Sequence, residues 1–246
     1  MVGLDGRWLA FEKWTVKSSS CTYVAMSAIK KHTRRLTARG AATRKRIVAA
    51  AADLAWRRGV GETSLDDVME ASGTSKSQLY HYFADKDELL REAAALQAAR
   101  VLGVHGPLLE AFDSLEAMRR WRDAVLALSG RSGCPLGALA YQLPQSAKRA
   151  RTAVEDGFET WRRQIEGGLR KMRDRGELAP EADPGDVALA VLSAVQGGLL
   201  LARSAKSNRP LELAFDMALV YVMMHVRRAG AAATTADIRL SAPPRA

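Results

Sequence analysis

An all-α protein is predicted: an N-terminal three-helix helix-turn-helix domain joined to a C-terminal helical bundle. Three observations lead there. Ala, Leu, Arg and Glu recur through the 246 residues while aromatic residues make up only 6%, and such side chains lose little freedom in a helix. Apolar residues step by threes and fours along most of the chain. Gly59, Gly73, Gly176 and Pro180 stand where those periodic stretches stop, as left-handed stops and breakers should.

Residues 1 to about 40 carry no sustained periodicity. Lys13, Lys17, Lys30, Lys31, Arg34, Arg35 and Arg39 face only Asp5 and Glu12 there, and Ser18-Ser19-Ser20 adds a linker-like run. The segment reads as a flexible basic arm. Trp8 and Trp14 have no account in that reading, and a native start at Met26 is an alternative.

Helical pattern begins at about Thr43, a residue of N-cap type. Ile47, Ala51, Leu54 and Ala55 then share one face as far as Gly59. A second short helix follows Thr63 or Ser64. Asp66 and Asp67 lie in its first turn, where they complement the helix dipole, and Leu65, Val68 and Met69 face inward. After a Ser72-Gly73-Thr74 turn, a third helix starts at about Ser75, buries Leu79 and passes Phe83 into a second break. A longer helix is expected from Asp85 to about Gly103.

Helices are further expected from about Ser114 to Ser129, Pro135 to Leu143, Gln145 to Arg175, Pro184 to Ala205 and Pro210 to Ala229. The third of these carries Val154, Phe158, Trp161, Ile165, Leu169 and Met172 as one amphipathic stripe. The domains are therefore an arm over 1–40, a helix-turn-helix domain over 41–84, a bundle over 85–229 and a flexible tail over 230–246.

Composition narrows the function. A formal net charge of +10 makes an anionic partner plausible, nucleic acid or a membrane surface. Cys21 and Cys134 are isolated, and His32, His81, His105 and His225 lie far apart, so neither a disulfide framework nor a metal site is expected. No cofactor is implied. No nucleophile elbow, Walker sequence or His-Glu-x-x-His is present, and Gly59-Val60-Gly61 follows a helix, which makes it a turn and not a dinucleotide fingerprint. An enzyme is not expected. The longest apolar candidate, Ala188 to Ala202, is broken by Gln196 and two glycines, which leaves it short of bilayer length. A cytoplasmic protein without a membrane partner is expected.

Two short helices joined by a tight glycine-bearing turn form a helix-turn-helix, whose last helix enters the major groove. The run from Thr63 to Leu89 is more specific. Ala71-Ser72-Gly73 precedes the third helix, Leu79-Tyr80-His81-Tyr82-Phe83 runs within and after it, and Lys86 and Leu89 close it in a Lys-x-x-Leu pattern. This run resembles the DNA-binding module of the TetR (tetracycline-repressor) family, with Met69-Glu70 in place of a usual Ile-Ala and Thr74 in place of a common valine. The strong match covers about residues 43 to 90.

Geometry assigns roles within that module. Thr63 and Ser64 at a helix N-terminus suit a phosphate. Ser75, Lys76, Ser77 and Gln78 open the third helix and can reach base edges, with Gln able to pair adenine through two hydrogen bonds and Lys able to donate to guanine. Tyr80 and His81 lie further along, against phosphate or a thymine methyl, and Lys86 offers phosphate a point charge.

The resemblance also implies a homodimer on a double-stranded operator and a small-molecule effector that the bundle binds, with the protein acting as a repressor. The two last helices, with Gly197 and Gly198, are the candidate dimer surface. Met118, Trp121, Tyr141, Phe158, Trp161 and Gln196 are candidates for the effector pocket, apolar residues with occasional polar anchors. Architectural DNA binding without an effector, or membrane-surface binding through the arm, are the competing classes.

Overall fold

The computed structural model describes residues 36–128 and 132–226. Among these residues the chain forms helices α1 (Ala38–Arg57), α2 (Leu65–Ser72), α3 (Lys76–Tyr82), α4 (Lys86–Glu110), α5 (Leu115–Leu128), α6 (Pro135–Gln142), α7 (Lys148–Asp174), α8 (Pro184–Ala205) and α9 (Arg209–Met224). Extended pairing among them is confined to one antiparallel bridge between Leu178 and Val226. The arm as far as Arg35 and the tail over 230–246 lie outside the described residues.

Two compact units divide the chain after Ala42. In the first, the described part is the opening of α1, where the Gly40 N–H donates to the Thr37 hydroxyl at 3.2 Å. The second holds everything from Thr43 onward. Helix α1 thus starts five residues before the expected Thr43, which is a buried residue inside the helix and not its cap.

Inside the second unit there are two cores. One, under α1–α3, gathers Ile47, Ala51, Leu54, Val68, Leu79 and Phe83. The other fills the bundle, with Trp121, Leu136, Trp161, Ile165, Val195 and Phe215 among its fully buried side chains. Helix α4 serves both: Leu89 and Ala93 belong to the first core, and Leu90, Ala94, Val101 and Leu109 to the second. The stripe Val101, His105 and Leu109 continues by fours past Gly103 and Pro107. That packing carries α4 seven residues beyond its expected end, tertiary burial overriding local propensity.

In the bundle, α4 lies against α7, and α8 against both α7 and α9. Two glycines allow the closest approaches. A Cβ on Gly168 of α7 would stand 2.0 Å from the Phe112 ring, and one on Gly198 of α8 would stand 3.0 Å from the Leu211 Cα of α9. Helix α7 has no side-chain cap and is laced instead by ion pairs three and four residues apart. Arg162 reaches Glu159 and Glu166 at 2.8 Å each, and Arg163 reaches Glu159 at 2.7 Å. Hydrogen bonds from Arg162 and Arg163 hold the Glu159 carboxyl down at about 2.

Helix α8 corrects one expectation. Its Ala, Val and Leu content outweighs Gln196 and the glycines, so its 22 residues are long and apolar enough to cross a membrane, with mean hydropathy 1.7 over 18 residues. Length and composition alone carry that statement, since the core helix of a bundle meets the same test. Its inward face, Val187, Val191, Val195 and Leu199, is packed in the core.

Candidate functional site

Helix α2 opens at a reciprocal cap. The Ser64 hydroxyl accepts the Asp67 N–H at 3.0 Å, and the Asp67 carboxylate accepts the Ser64 N–H at 2.8 Å. Hydrogen bonds from Ser64, with Arg58 at 3.2 Å adding to them, keep the Asp67 carboxyl below its ordinary value. Thr63 is buried, and its hydroxyl donates to the Gly59 carbonyl at 2.7 Å. Both hydroxyls that the sequence offered to phosphate are therefore engaged within the protein. What this end of α2 leaves open is the Leu65 and Asp66 N–H groups, the Asp67 N–H being taken by the Ser64 hydroxyl. Lys86 stands beside them, its ammonium donating to the Thr63 carbonyl at 3.1 Å.

Between α2 and α3 the chain turns at Gly73, whose φ of 62° lies in the left-handed region where a Cβ is costly. Thr74 is buried, and its hydroxyl meets that of Ser72 at 2.7 Å. This pairing accounts for a threonine at a position where valine is common in the family it resembles.

Helix α3 is short, and its two faces differ sharply. Leu79 is 2% exposed and, with Phe83 at the helix end, anchors it to the core. Ser75, Lys76, Ser77, Gln78, Tyr80 and His81 are all exposed on the other side. The Ser75 hydroxyl accepts the Gln78 N–H at 3.3 Å, and Gln78 Oε1 accepts the Ser75 N–H at 3.0 Å. A two-hydrogen-bond pairing with adenine needs both ends of the Gln78 amide, so it requires the cap to open. With the cap closed, the Gln78 amide nitrogen alone remains to donate.

Three ties that no local pattern announced lie at or beside the junction of this three-helix head with the bundle, the second and third of them joining the two. Arg149 of α7 bridges Asp85 at 2.5 Å and Asp87 at 3.0 Å. Asp85 also caps α4 by accepting the Glu88 N–H at 2.7 Å, and that hydrogen bond, with Arg149, lowers its carboxyl. Gln142, the last residue of α6, accepts the Val60 N–H at 2.9 Å. The Arg203 guanidinium of α8 lies over the Trp56 ring of α1, 4.5 Å from its centroid. These pairs are dozens of residues apart in sequence, which is why periodicity and motif reading passed over them.

The bundle separates the six effector candidates into two groups. Met118, Trp121 and Trp161 are at most 1% exposed in the closed core, with Trp121 edge-on to Phe215 at 5.2 Å and Trp161 stacked on His105 at 5.4 Å. Tyr141, Phe158 and Gln196 line a cavity of about 310 Å³ between α6 and α8. Cys134, the N-cap of α6, lines it too, but its sulfur accepts the Gly137 N–H at 3.3 Å and burial pushes the thiol up. Gln196 Nε2 is buried beside that thiol, its one neighbouring acceptor, and forms no well-aligned hydrogen bond with it.

His105 was missed by sequence reading. It is 3% exposed, burial pushes its pKa down to about 4, and its Nδ1 has no partner. Among the described residues no group of three His, Cys, Asp or Glu is placed to hold a metal. Outward faces of α8 and α9 carry Leu200, Leu201, Leu213, Met217, Val220 and Met224, each at least half exposed. Gly197 faces open space there, whereas Gly198 serves the contact within the chain.

Residues 47–93 match the family model described as bacterial regulatory proteins of the tetR family, and residues 110–217 match the C-terminal domain of LmrA/YxaF-like transcriptional regulators. An HTH-type transcriptional regulator of Mycobacterium tuberculosis is 28% identical over 177 residues, covering 69% of this chain and 89% of that one. The HTH-type transcriptional regulator LmrA of Bacillus subtilis is 26% identical over 175 residues, covering 69% and 90%. Among solved structures, a TetR transcriptional regulator from Chloroflexus aurantiacus superimposes with a TM-score of 0.68 at 28% identity, covering 78% of this chain and all of that one.

Proposed function

Because this chain belongs to the TetR family of transcriptional regulators, with a DNA-binding domain and no enzymatic role, we propose that it is a homodimeric cytoplasmic repressor. It would hold a palindromic operator until a small-molecule effector releases it. The observation that carries the reading is the division of α3: Leu79 and Phe83 fix the helix, and Lys76, Ser77, Gln78, Tyr80 and His81 are exposed on the far side. A helix so mounted presents its first turn to base edges and its later residues to the backbone.

In this reading Lys76 and Ser77 make the primary base contacts, and Gln78 joins them with its amide nitrogen or by opening its cap. Tyr80 and His81 touch phosphate or a thymine methyl. Lys86 and the α2 N-terminus take a phosphate, with Thr63 and Ser64 shaping that end through their own hydrogen bonds. The outward apolar face of α8 and α9 supports dimerisation, since contiguous exposed apolar surface marks an association site. Tyr141, Phe158 and Gln196 are the effector contacts favoured by the cavity, and Met118, Trp121 and Trp161 support its floor from within the core. Arm residues Lys30, Lys31, Arg34 and Arg35 would add phosphate contacts, each steepening the salt dependence by about 0.9 in log–log slope.

Selection from randomised duplexes, followed by stoichiometry on the enriched sequence, tests the proposal. An inverted repeat with half-sites roughly 34–36 Å apart and two chains per repeat is expected. Equal affinity for scrambled DNA would point instead to an architectural protein.

A further inference from the structure

Arg203 occupies two places at once. It is part of the wall of the cavity between α6 and α8, and its guanidinium lies over Trp56 of the DNA-reading head, 4.5 Å from the ring centroid. Its aliphatic stem rests against Gly133, where a Cβ would come within 3.0 Å. No carboxylate lines the cavity beside it.

The wall is otherwise apolar, built from Gly, Ala and Leu residues with Phe158 and Tyr141. Its polar side chains share one property: Arg203, Gln196, Ser193 and Tyr141 can all donate a hydrogen bond. Gln196 Nε2 is already out of water with only the weak, poorly aligned Cys134 sulfur beside it, and a buried donor in that state costs free energy until a better acceptor arrives. The volume of about 310 Å³ corresponds to roughly ten water volumes, room for a molecule on the order of ten non-hydrogen atoms.

We propose that this cavity binds a small monocarboxylate with an apolar body, and that Arg203 transmits its arrival to the reading head by leaving the Trp56 face for the carboxylate. The inference rests on the reading of the chain as an effector-released regulator, and it gives that effector a chemical class and a route. A guanidinium meets a carboxylate through two parallel charge-assisted hydrogen bonds. Its contact with an indole face at a solvent-exposed site is the weaker of the two. The acid therefore favours the arrangement in which Trp56 is released, and only such differential affinity can shift an equilibrium. Helix α6, which forms the opposite wall through Gly137 and Tyr141, ends at Gln142 on the Val60 N–H. Filling the cavity thus bears on both the Arg203 and Gln142 ties to the head.

The test uses the full chain, the inverted repeat it selects, and hexanoate as probe, with hexanol and hexylamine as controls of equal length. Hexanoate is expected to raise the melting temperature and weaken operator affinity at least tenfold at saturation. Hexanol should act weakly and hexylamine not at all. Arg203→Ala should lose the preference for the acid over the alcohol, and Arg203→Lys should recover part of it. Trp56→Leu, which keeps an apolar side chain without the ring face, should still bind hexanoate while operator affinity no longer responds.

Equal responses to acid, alcohol and amine would overturn the ligand class. Wild-type release in Trp56→Leu would overturn the route. Acid-selective binding, read by melting and needing no DNA, with no release in the wild-type chain would overturn the coupling. A chain that selects no repeat would mean that the regulator reading itself has failed, and this proposal with it.

Discussion

The reading head and the bundle reach their shapes by different means. In the head, α2 and α3 each start at a cap closed within four residues, Ser64 with Asp67 and Ser75 with Gln78. In the bundle α4, α6 and α8 also open at side-chain caps, but α7 and α9 do not, and distant partners fix the helices: Trp161 on His105, Trp121 on Phe215, Arg149 on Asp85. The head relies on short-range hydrogen bonds over a small core, and the bundle adds to such bonds a larger buried core and contacts between residues far apart in sequence. A head built this way keeps its geometry in a short stretch of chain, leaving the bundle free to vary in what it binds.

The largest effect that would break this comparison is on Leu79, the one buried residue within α3. Leu79→Ala should cost about 2–5 kcal/mol and abolish operator binding. The urea transition reported by the buried bundle residues Trp121 and Trp161 should survive. A single transition shifted equally at every probe would mean that head and bundle are one cooperative unit.

Next is the acid response of the bundle. His105 has a folded pKa of about 4 against an ordinary 6.5. Between those values the unfolded chain binds a proton that the folded chain does not. The stability it contributes is therefore complete above 6.5 and is lost as pH falls towards 4, about 3 kcal/mol in all. Urea unfolding at pH 7 and pH 4.5 measures it, and His105→Phe should flatten the difference. In the head, by contrast, the Asp67 carboxyl is lowered by its bonds to Ser64 and by Arg58. Its contribution is present above the ordinary 3.8 and is lost only as pH falls below that, through its folded value. The bundle should soften first; a head that loses DNA binding before the bundle loosens would reverse the order.

Smaller still is the cap. Ser75→Ala should cost about 1 kcal/mol by removing the hydroxyl that accepts the Gln78 N–H; the Ser75 backbone N–H that holds Gln78 Oε1 remains, so base preference should stay unchanged. A changed preference would show that the Ser75 hydroxyl itself takes part in reading the bases. The smallest effect is expected from Arg149→Ala. Arg149 is 47% exposed on its side chain, so its pairs should contribute no more than about 1 kcal/mol. Its removal should leave the melting curve nearly in place and show in operator affinity instead.

Local instructions were legible in the sequence and distant ones were not. Ser64, Ser75, Gly73 and the Leu79–Phe83 anchor announced themselves by type and spacing, and the Pro184 start of α8 was placed to the residue. Helix α4 was cut short at Gly103 because its continuation depends on packing of His105 and Leu109 against partners far along the chain. The type of Thr63 and its place at a helix N-terminus suggest an outward donor and give no sign that the hydroxyl turns back to Gly59. Aromatic content placed Trp121, Trp161 and Phe158 in one class, although two are sealed in the core and one lines the cavity. Nothing in the order of residues announces that Arg203 would find Trp56.

The most direct test is to repeat the duplex selection with the first turn of α3 stripped, Lys76, Ser77 and Gln78 all changed to Ala. If α3 reads the bases and the bundle sets the dimer, the enriched bases should relax at matching positions in both half-sites. Discrimination should drop by about 1–3 kcal/mol for each lost base contact, while the half-site spacing stays the same. An unchanged motif would show that the bases are read elsewhere, and a changed spacing with intact bases would assign the two roles the other way round.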